Sequence, residues 1–225
     1  MRNTAVVLLL LALVVPMSNA AEPAFTEDFG IEKSDLSSTG RNPFFILEPG
    51  YQLYFKGEDG DLTITVLNDT KMVDGVETRV VEERETEGGK LIEVSRNYFA
   101  VSKRNNGVFY FGEDVDMYDS AGKVTHGGSW LAGLDGARAG LMMPGIALLG
   151  ARFYQEVAPK IAMDRAEIVS ISDTRKVPVG TFDLVLKTEE TTPLEPGVKE
   201  YKYYVSGIGL IKDGDMELVR YGTVR

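Results

Sequence analysis

The chain has 225 residues and a net charge of −10, with 34 acidic residues against 24 basic ones. That excess repels phosphate backbones and anionic membrane surfaces, so nucleic acid is excluded as the natural partner. There is no cysteine, which rules out disulfides, thiolate metal sites, a cysteine nucleophile and a lipid-bearing N-terminal cysteine.

Residues 1–20 have the layout of a secretory signal. Arg2 is the positive start, 5–15 is an unbroken apolar run, Pro16 breaks it, and Ser18-Asn19-Ala20 is a small-x-small cleavage pattern. The run is shorter than the roughly 17–25 residues that a membrane-spanning helix needs. After cleavage no stable membrane span is expected, and the location is secreted or periplasmic. Residues 21–41 are polar, with scattered Ser, Thr and Gly, and read as a flexible leader. Residues 42–225 read as a single β domain.

Asn42-Pro43 opens an apolar run, and Pro49-Gly50 turns it. From Tyr51 onward, β-rich runs alternate with turn clusters: 51–56, 62–67, a run from about 71, 76–87, 90–103 and 108–118. Asp74-Gly75, Gly88-Gly89 and Asn106-Gly107 separate several of them. These dipeptides build tight hairpins, which join antiparallel neighbours. Within 108–118 strict alternation places Phe109, Phe111, Glu113, Val115 and Met117 on one face. Tyr110, Asp114 and Asp116 fall on the other, a wet surface or a polar-lined concavity.

Residues 131–150 break the rhythm. They are rich in Gly and Ala, carry Met142-Met143-Pro144-Gly145, and read as one long irregular segment. Strands resume at 151–157, 164–172, 181–189, 198–205, 209–212 and 216–221. The fold class is therefore all-β: a single curved antiparallel sheet, a half-barrel or barrel, with one long Gly/Met/Pro-rich irregular segment.

No catalytic signature is present, and no catalytic residue is assigned. His126, the only histidine, precedes Ser129, but the Gly-x-Ser-x-Gly elbow is missing. Glu113, Asp114, Asp116 and Asp119 form an acidic cluster, with the three aspartates as the metal candidates, although their spacing does not fit an EF-hand. No cofactor fingerprint occurs. Trp130, with Met142 and Met143 downstream, either plugs an open end of the sheet or lines an adaptable apolar pocket. In Glu200-Tyr201-Lys202-Tyr203-Tyr204, Tyr201 and Tyr203 share one face, and Lys202 and Tyr204 the other. The candidate ligand-binding residues are Tyr110, Trp130, Met142, Met143 and Tyr203.

Several stretches carry a resemblance. They include Asn42-Pro43-Phe44-Phe45, Phe109-Tyr110-Phe111-Gly112-Glu113-Asp114, Gly128-Ser129-Trp130-Leu131-Ala132-Gly133-Leu134-Asp135, Tyr154-Gln155-Glu156 and Thr192-Pro193-Leu194-Glu195-Pro196-Gly197. In these the chain resembles a family of uncharacterised secreted bacterial proteins, which implies no activity. Pro178-Val179-Gly180-Thr181-Phe182, and Tyr203-Tyr204 before Gly207-Ile208-Gly209, are more loosely similar to periplasmic half-barrels of the lipoprotein-carrier type. That likeness implies a curved sheet cupping an apolar ligand. The expected function is a non-enzymatic binding module for an apolar small molecule, a lipid or an envelope protein. The alternatives are a hydrolase or metal-binding enzyme using Asp114 and Asp116, and a structural protein of the envelope.

Overall fold

The computed structural model describes residues 24–224, so the expected signal at 1–20 lies outside the described residues. In chain order the strands are β1 (Leu36–Ser37), β2 (Gly40–Asn42), β3 (Phe45–Leu47), β4 (Tyr51–Lys56), β5 (Gly60–Val73) and β6 (Val76–Glu87). There follow β7 (Lys90–Ser102), β8 (Val108–Tyr118), β9 (Val124–Thr125), β10 (Trp130–Leu131), β11 (Arg138–Met143) and β12 (Arg152–Tyr154). The last are β13 (Glu156–Val157), β14 (Arg165–Val177), β15 (Gly180–Thr191), β16 (Glu200–Val205), β17 (Gly209–Asp213) and β18 (Met216–Thr223). Among the described residues the one helical element is a 3-10 turn, Lys33–Asp35.

Two antiparallel meanders build the wall. One runs β4-β5-β6-β7-β8-β11 and the other β14-β15-β16-β17-β18. They join where β18 pairs with β4, for example Leu218 with Phe55. The sheet is thereby nearly closed into a barrel with one seam. That seam falls within a single stretch of chain: β12 pairs with β14, β13 pairs with β11, and only Gln155 separates β12 from β13. Closure shields backbone groups that an open sheet edge would leave unpaired.

Alternation sorts the strands into an apolar inner face and a polar outer one. On β4, Tyr51, Leu53 and Phe55 are buried while Lys56 is exposed. The outer wall carries charge: Lys71 pairs with Asp114, Arg96 with Asp116, and Lys199 with Glu189. A membrane-spanning barrel presents an apolar band there instead. No helix among the described residues is long and apolar enough to cross a membrane.

The barrel is not empty. The β2–β3 hairpin touches β7 and β17, which lie on opposite walls, so it spans the interior as a plug. Phe45 of this hairpin packs 4.9 Å from Phe99 of β7. Asn42 is buried and anchors it, donating through Nδ2 to the carbonyls of Asn106 (2.8 Å) and Pro144 (3.0 Å). The segment expected as a flexible leader is docked on the wall from residue 24. Thr26 bridges to Phe153, Leu36 pairs with Ser102, and Phe29 meets Phe109 edge-on.

Two local features depart from simple alternation. Residues 131–150 include a wall strand, β11. At Gly140 a side chain would collide with the Gln155 carbonyl at 2.3 Å, so glycine lets the seam close. The strand arises from pairing with β8 rather than from β-branched residues, which is why its own sequence does not announce it. In β8 the register against β7 shifts between Tyr110 and Glu113. This bulge puts Tyr110 and Glu113 on the same inner face, where strict alternation separates them. Phe109 turns instead toward Phe29.

Gly112 sits in that bulge with φ 141°, and a Cβ there would lie 2.4 Å from the Trp130 carbonyl. Gly112→Ala is expected to cost about 1–3 kcal/mol, the strain of a disfavoured backbone conformation. Denaturant unfolding followed through Trp130 fluorescence checks it. An unchanged midpoint would show that the bulge can relax freely.

Candidate functional site

The inner wall changes character along β6. Val81 faces Val66 and Asn97, Glu83 faces Ile64 and Ser95, and Glu85 faces Leu62 and Glu93. Toward the plug the lumen is apolar and aromatic, with Phe45, Phe99, Tyr110 and Trp130 in consecutive ring contact. Away from the plug it becomes acidic. A cavity of about 90 Å³ lies at the transition, lined by Phe45, Ile64, Val81, Phe99, Met142 and Tyr204, and by Glu83, Lys202 and Asp213. A second, more open volume of about 250 Å³ shares Lys202 with it and is bounded by Asp164, Glu190 and Glu200.

Lys202 is the single cation lining either volume. Its Nζ lies 3.1 Å from Glu190 Oε2 and 3.4 Å from Asp213 Oδ2. Burial works to neutralise this amine, but Glu190 and Asp213 outweigh it and hold the ammonium charged well above its usual range. The side chain retains 22% exposure although it points inward, so the space beside it is hollow. Glu190 is fully engaged, since Gln155 Nε2 (3.1 Å) and Thr188 Oγ1 (3.3 Å) also donate to it.

The remaining lumenal acids lack such a partner. Burial pushes the Glu83 carboxyl up to about 7; Lys202 opposes the rise, while Asp213, Glu85 and Glu113 add to it. Burial likewise pushes Glu113 up to about 7, against the hydroxyl of Tyr110, with Glu93 adding to the rise. The buried indole N–H of Trp130 forms no well-formed hydrogen bond, yet it approaches Glu113 and also opposes the shift. Glu156, buried at the seam, is raised by burial and by Asp164, although its carboxylate accepts the Asp164 backbone N–H at 2.9 Å.

The residues singled out in the sequence are dispersed. Tyr110 lies inside, donating to Asn97. Trp130 is buried edge-on against it at 5.2 Å and also lines a separate surface pocket of about 220 Å³. Met142 lines the lumenal cavity, whereas Met143 is fully buried elsewhere in the core. Tyr203 is buried, but on the opposite face of its strand from Lys202 and Tyr204, beneath Arg175, whose guanidinium sits 4.0 Å from the ring centre. Lys202 and Tyr204 share the inner face, as alternation places them.

The three aspartates do not converge. Asp114 is bound by Lys71 (2.8 Å) and by the Tyr98 hydroxyl; against the effect of burial, these keep it below the usual carboxylate range. Asp116 is held low by Arg96 and then by His126, whose Nδ1 is 2.9 Å away. Asp119 caps its own turn, accepting from the amides of Ala121 and Lys123. Among the described residues no three acids or histidines are grouped as metal ligands.

Sequence reasoning missed Glu83, Glu156 and Asp213, and it set Glu113 in the acidic cluster with Asp114, Asp116 and Asp119 rather than in the lumen. The available signal was weak: in 82–87 charged residues occupy both faces, so the inner one is not marked.

Together these features define a nearly closed antiparallel barrel with an amphipathic interior. No protein-family model, curated protein or solved structure matches the chain.

Proposed function

We propose that the chain is an exported, non-enzymatic binding module whose barrel interior holds a small molecule with an apolar body and a polar end. Export rests on the pattern of residues 1–20, and location in the periplasm or outside the cell follows from it. One observation carries the binding reading. The lumenal cavity is walled by Ile64, Val81, Phe99 and Met142, yet opens onto Glu83, Lys202 and Asp213. Ligand sites commonly combine a concave apolar lining with a few placed polar groups.

The size sets the ligand class. An apolar cavity of roughly 150 Å³ holds one benzene, so 90 Å³ admits a body of roughly four or five heavy atoms. A lipid chain would require the plug to move. The lipoprotein-carrier likeness therefore enters the proposal as an apolar-ligand theme rather than as lipid carriage.

The alternatives draw less support. A hydrolase or metal site at Asp114 and Asp116 would have to release Lys71 and Arg96 from them. An assembly role through strand addition would have to use the seam, whose edge strands are only two or three residues long.

Native mass spectrometry of gently purified protein tests the reading. A small organic adduct is expected, and it should vanish in Val81→Phe, which fills the cavity at about 1–3 kcal/mol of strain. Wild-type protein that never carries or takes up a ligand, or an adduct retained in Val81→Phe, would remove the lumen as the site.

A further inference from the structure

The lumen differs from an ordinary apolar pocket in one respect: its charges do not balance. Lys202 is already satisfied by Glu190 and Asp213. Glu83 lines the same cavity, and among the described residues nothing donates a hydrogen bond or forms an ion pair to its carboxylate. Its surroundings deepen the imbalance. Glu85 follows it on β6, and Glu93 sits across from Glu85 on β7. Glu113 on β8, Lys202 on β16 and Asp213 on β17 also act on it electrostatically. The phenol of Tyr204 completes the polar lining and, being buried, stays protonated well above its usual range.

An uncompensated carboxylate in a low-dielectric site is costly unless a cation meets it. Adjacent to it, Phe99 and Tyr204 offer aromatic surface and Ile64 and Val81 offer aliphatic surface. An ammonium group gains from both a carboxylate and aromatic faces. An anionic head would face Glu83 and Asp213, and among the described lining residues the one cation, Lys202, is already taken.

Resting on the lumenal binding reading, we propose that the ligand is a small organic cation, a primary ammonium on a short apolar body. Its charged end lies on Glu83 and its apolar end points toward the plug. Binding then requires Glu83 to be ionised, so affinity rises with pH through the range in which that carboxyl, pushed up to about 7, loses its proton.

The test uses three probes of equal carbon number, n-butylammonium, n-butanol and the slightly larger n-butanoate, titrated into the whole protein at pH 6 and pH 8. Protein NMR is the readout, because it reports both the affinity and the residues that each probe meets. n-Butylammonium is expected to bind about tenfold tighter at pH 8 than at pH 6, the ratio of ionised Glu83 for a group titrating near 7. At pH 8 it should also bind more tightly than n-butanol, and n-butanoate more weakly than either. In Glu83→Gln, confirmed folded by circular dichroism, n-butanol binding should persist, while the pH dependence and the preference for ammonium disappear. If n-butanol or n-butanoate binds the wild type as well as n-butylammonium at pH 8, the cation inference fails and the lumenal reading stands. A tenfold pH dependence that survives Glu83→Gln overturns the role of Glu83. Failure of all three probes to perturb the cavity residues overturns both.

Discussion

Replacing Lys202 with methionine lowers the unfolding free energy by about 3–5 kcal/mol near pH 8, the usual cost of deleting one partner from a buried ion pair. Methionine approximates the volume of the lysine stem, so packing is largely conserved and the effect is electrostatic. The ammonium lies between Glu190 and Asp213, whose side chains are 10% and 26% exposed. Without it, Glu83 and Asp213 repel one another in the same cavity, with Glu190 adding to them from the adjoining volume. At pH 5 the cost shrinks, because Glu83, pushed up to about 7, is then protonated and no longer adds to the repulsion. Denaturant melts of wild type and Lys202→Met at both values measure this. A loss below about 1 kcal/mol, or one equal at both pH values, would mean that water rather than Lys202 balances the lumen.

Raising the pH from 5 to 8 lowers the melting temperature of the wild-type protein by roughly 5–10 °C. Glu83 and Glu113 each titrate near 7 when folded, against an ordinary value of 4.5. The folded state therefore keeps protons that the unfolded chain has released. The resulting stabilisation is complete below 4.5 and is lost as the pH climbs through 7. Either carboxyl alone corresponds to about 3 kcal/mol, and the two are coupled, so their effects do not simply add. Asp114, Asp116 and Glu48 are held low and act at the opposite end, their contributions vanishing as the pH falls through their folded values. Maximum stability is accordingly expected near pH 5. Glu83→Gln should remove about half of the alkaline loss. A melting temperature that is flat or rising between pH 5 and 8, or a Glu83→Gln variant with the full wild-type decline, would contradict this account.

Much of the wall was legible because hairpin chemistry is local. Asp74-Gly75 and Gly88-Gly89 mark the turns on either side of β6, and the spacing between such turns sets strand length. Alternation held where strands are regular: Leu53 and Phe55 are buried, and Lys202 and Tyr204 share one face, although the ligand-facing place was assigned to Tyr203 on the other. It failed in β8, where one bulge at Gly112 turns Tyr110 to the side of Glu113. Nothing in Phe109-Tyr110-Phe111-Gly112-Glu113 signals that shift, since it is imposed by the approach of Trp130 from β10.

The candidate site was legible only in fragments. Tyr110, Trp130 and Met142 could be chosen as large or adaptable side chains. Glu83 could not, because an acidic residue amid acidic neighbours reads as solvated surface until the barrel closes around it.

The sequence by itself determined an antiparallel β chain, its turns and most of its inward positions, since these follow from φ preferences and a two-residue period within a few neighbouring residues. Tertiary structure alone decided the closure at Gln155, the β2–β3 plug and the meeting of Glu83, Lys202 and Asp213. Each depends on segments far apart in the chain arriving at one place, and the energy of a buried charge is set by those distant neighbours rather than by the residues beside it.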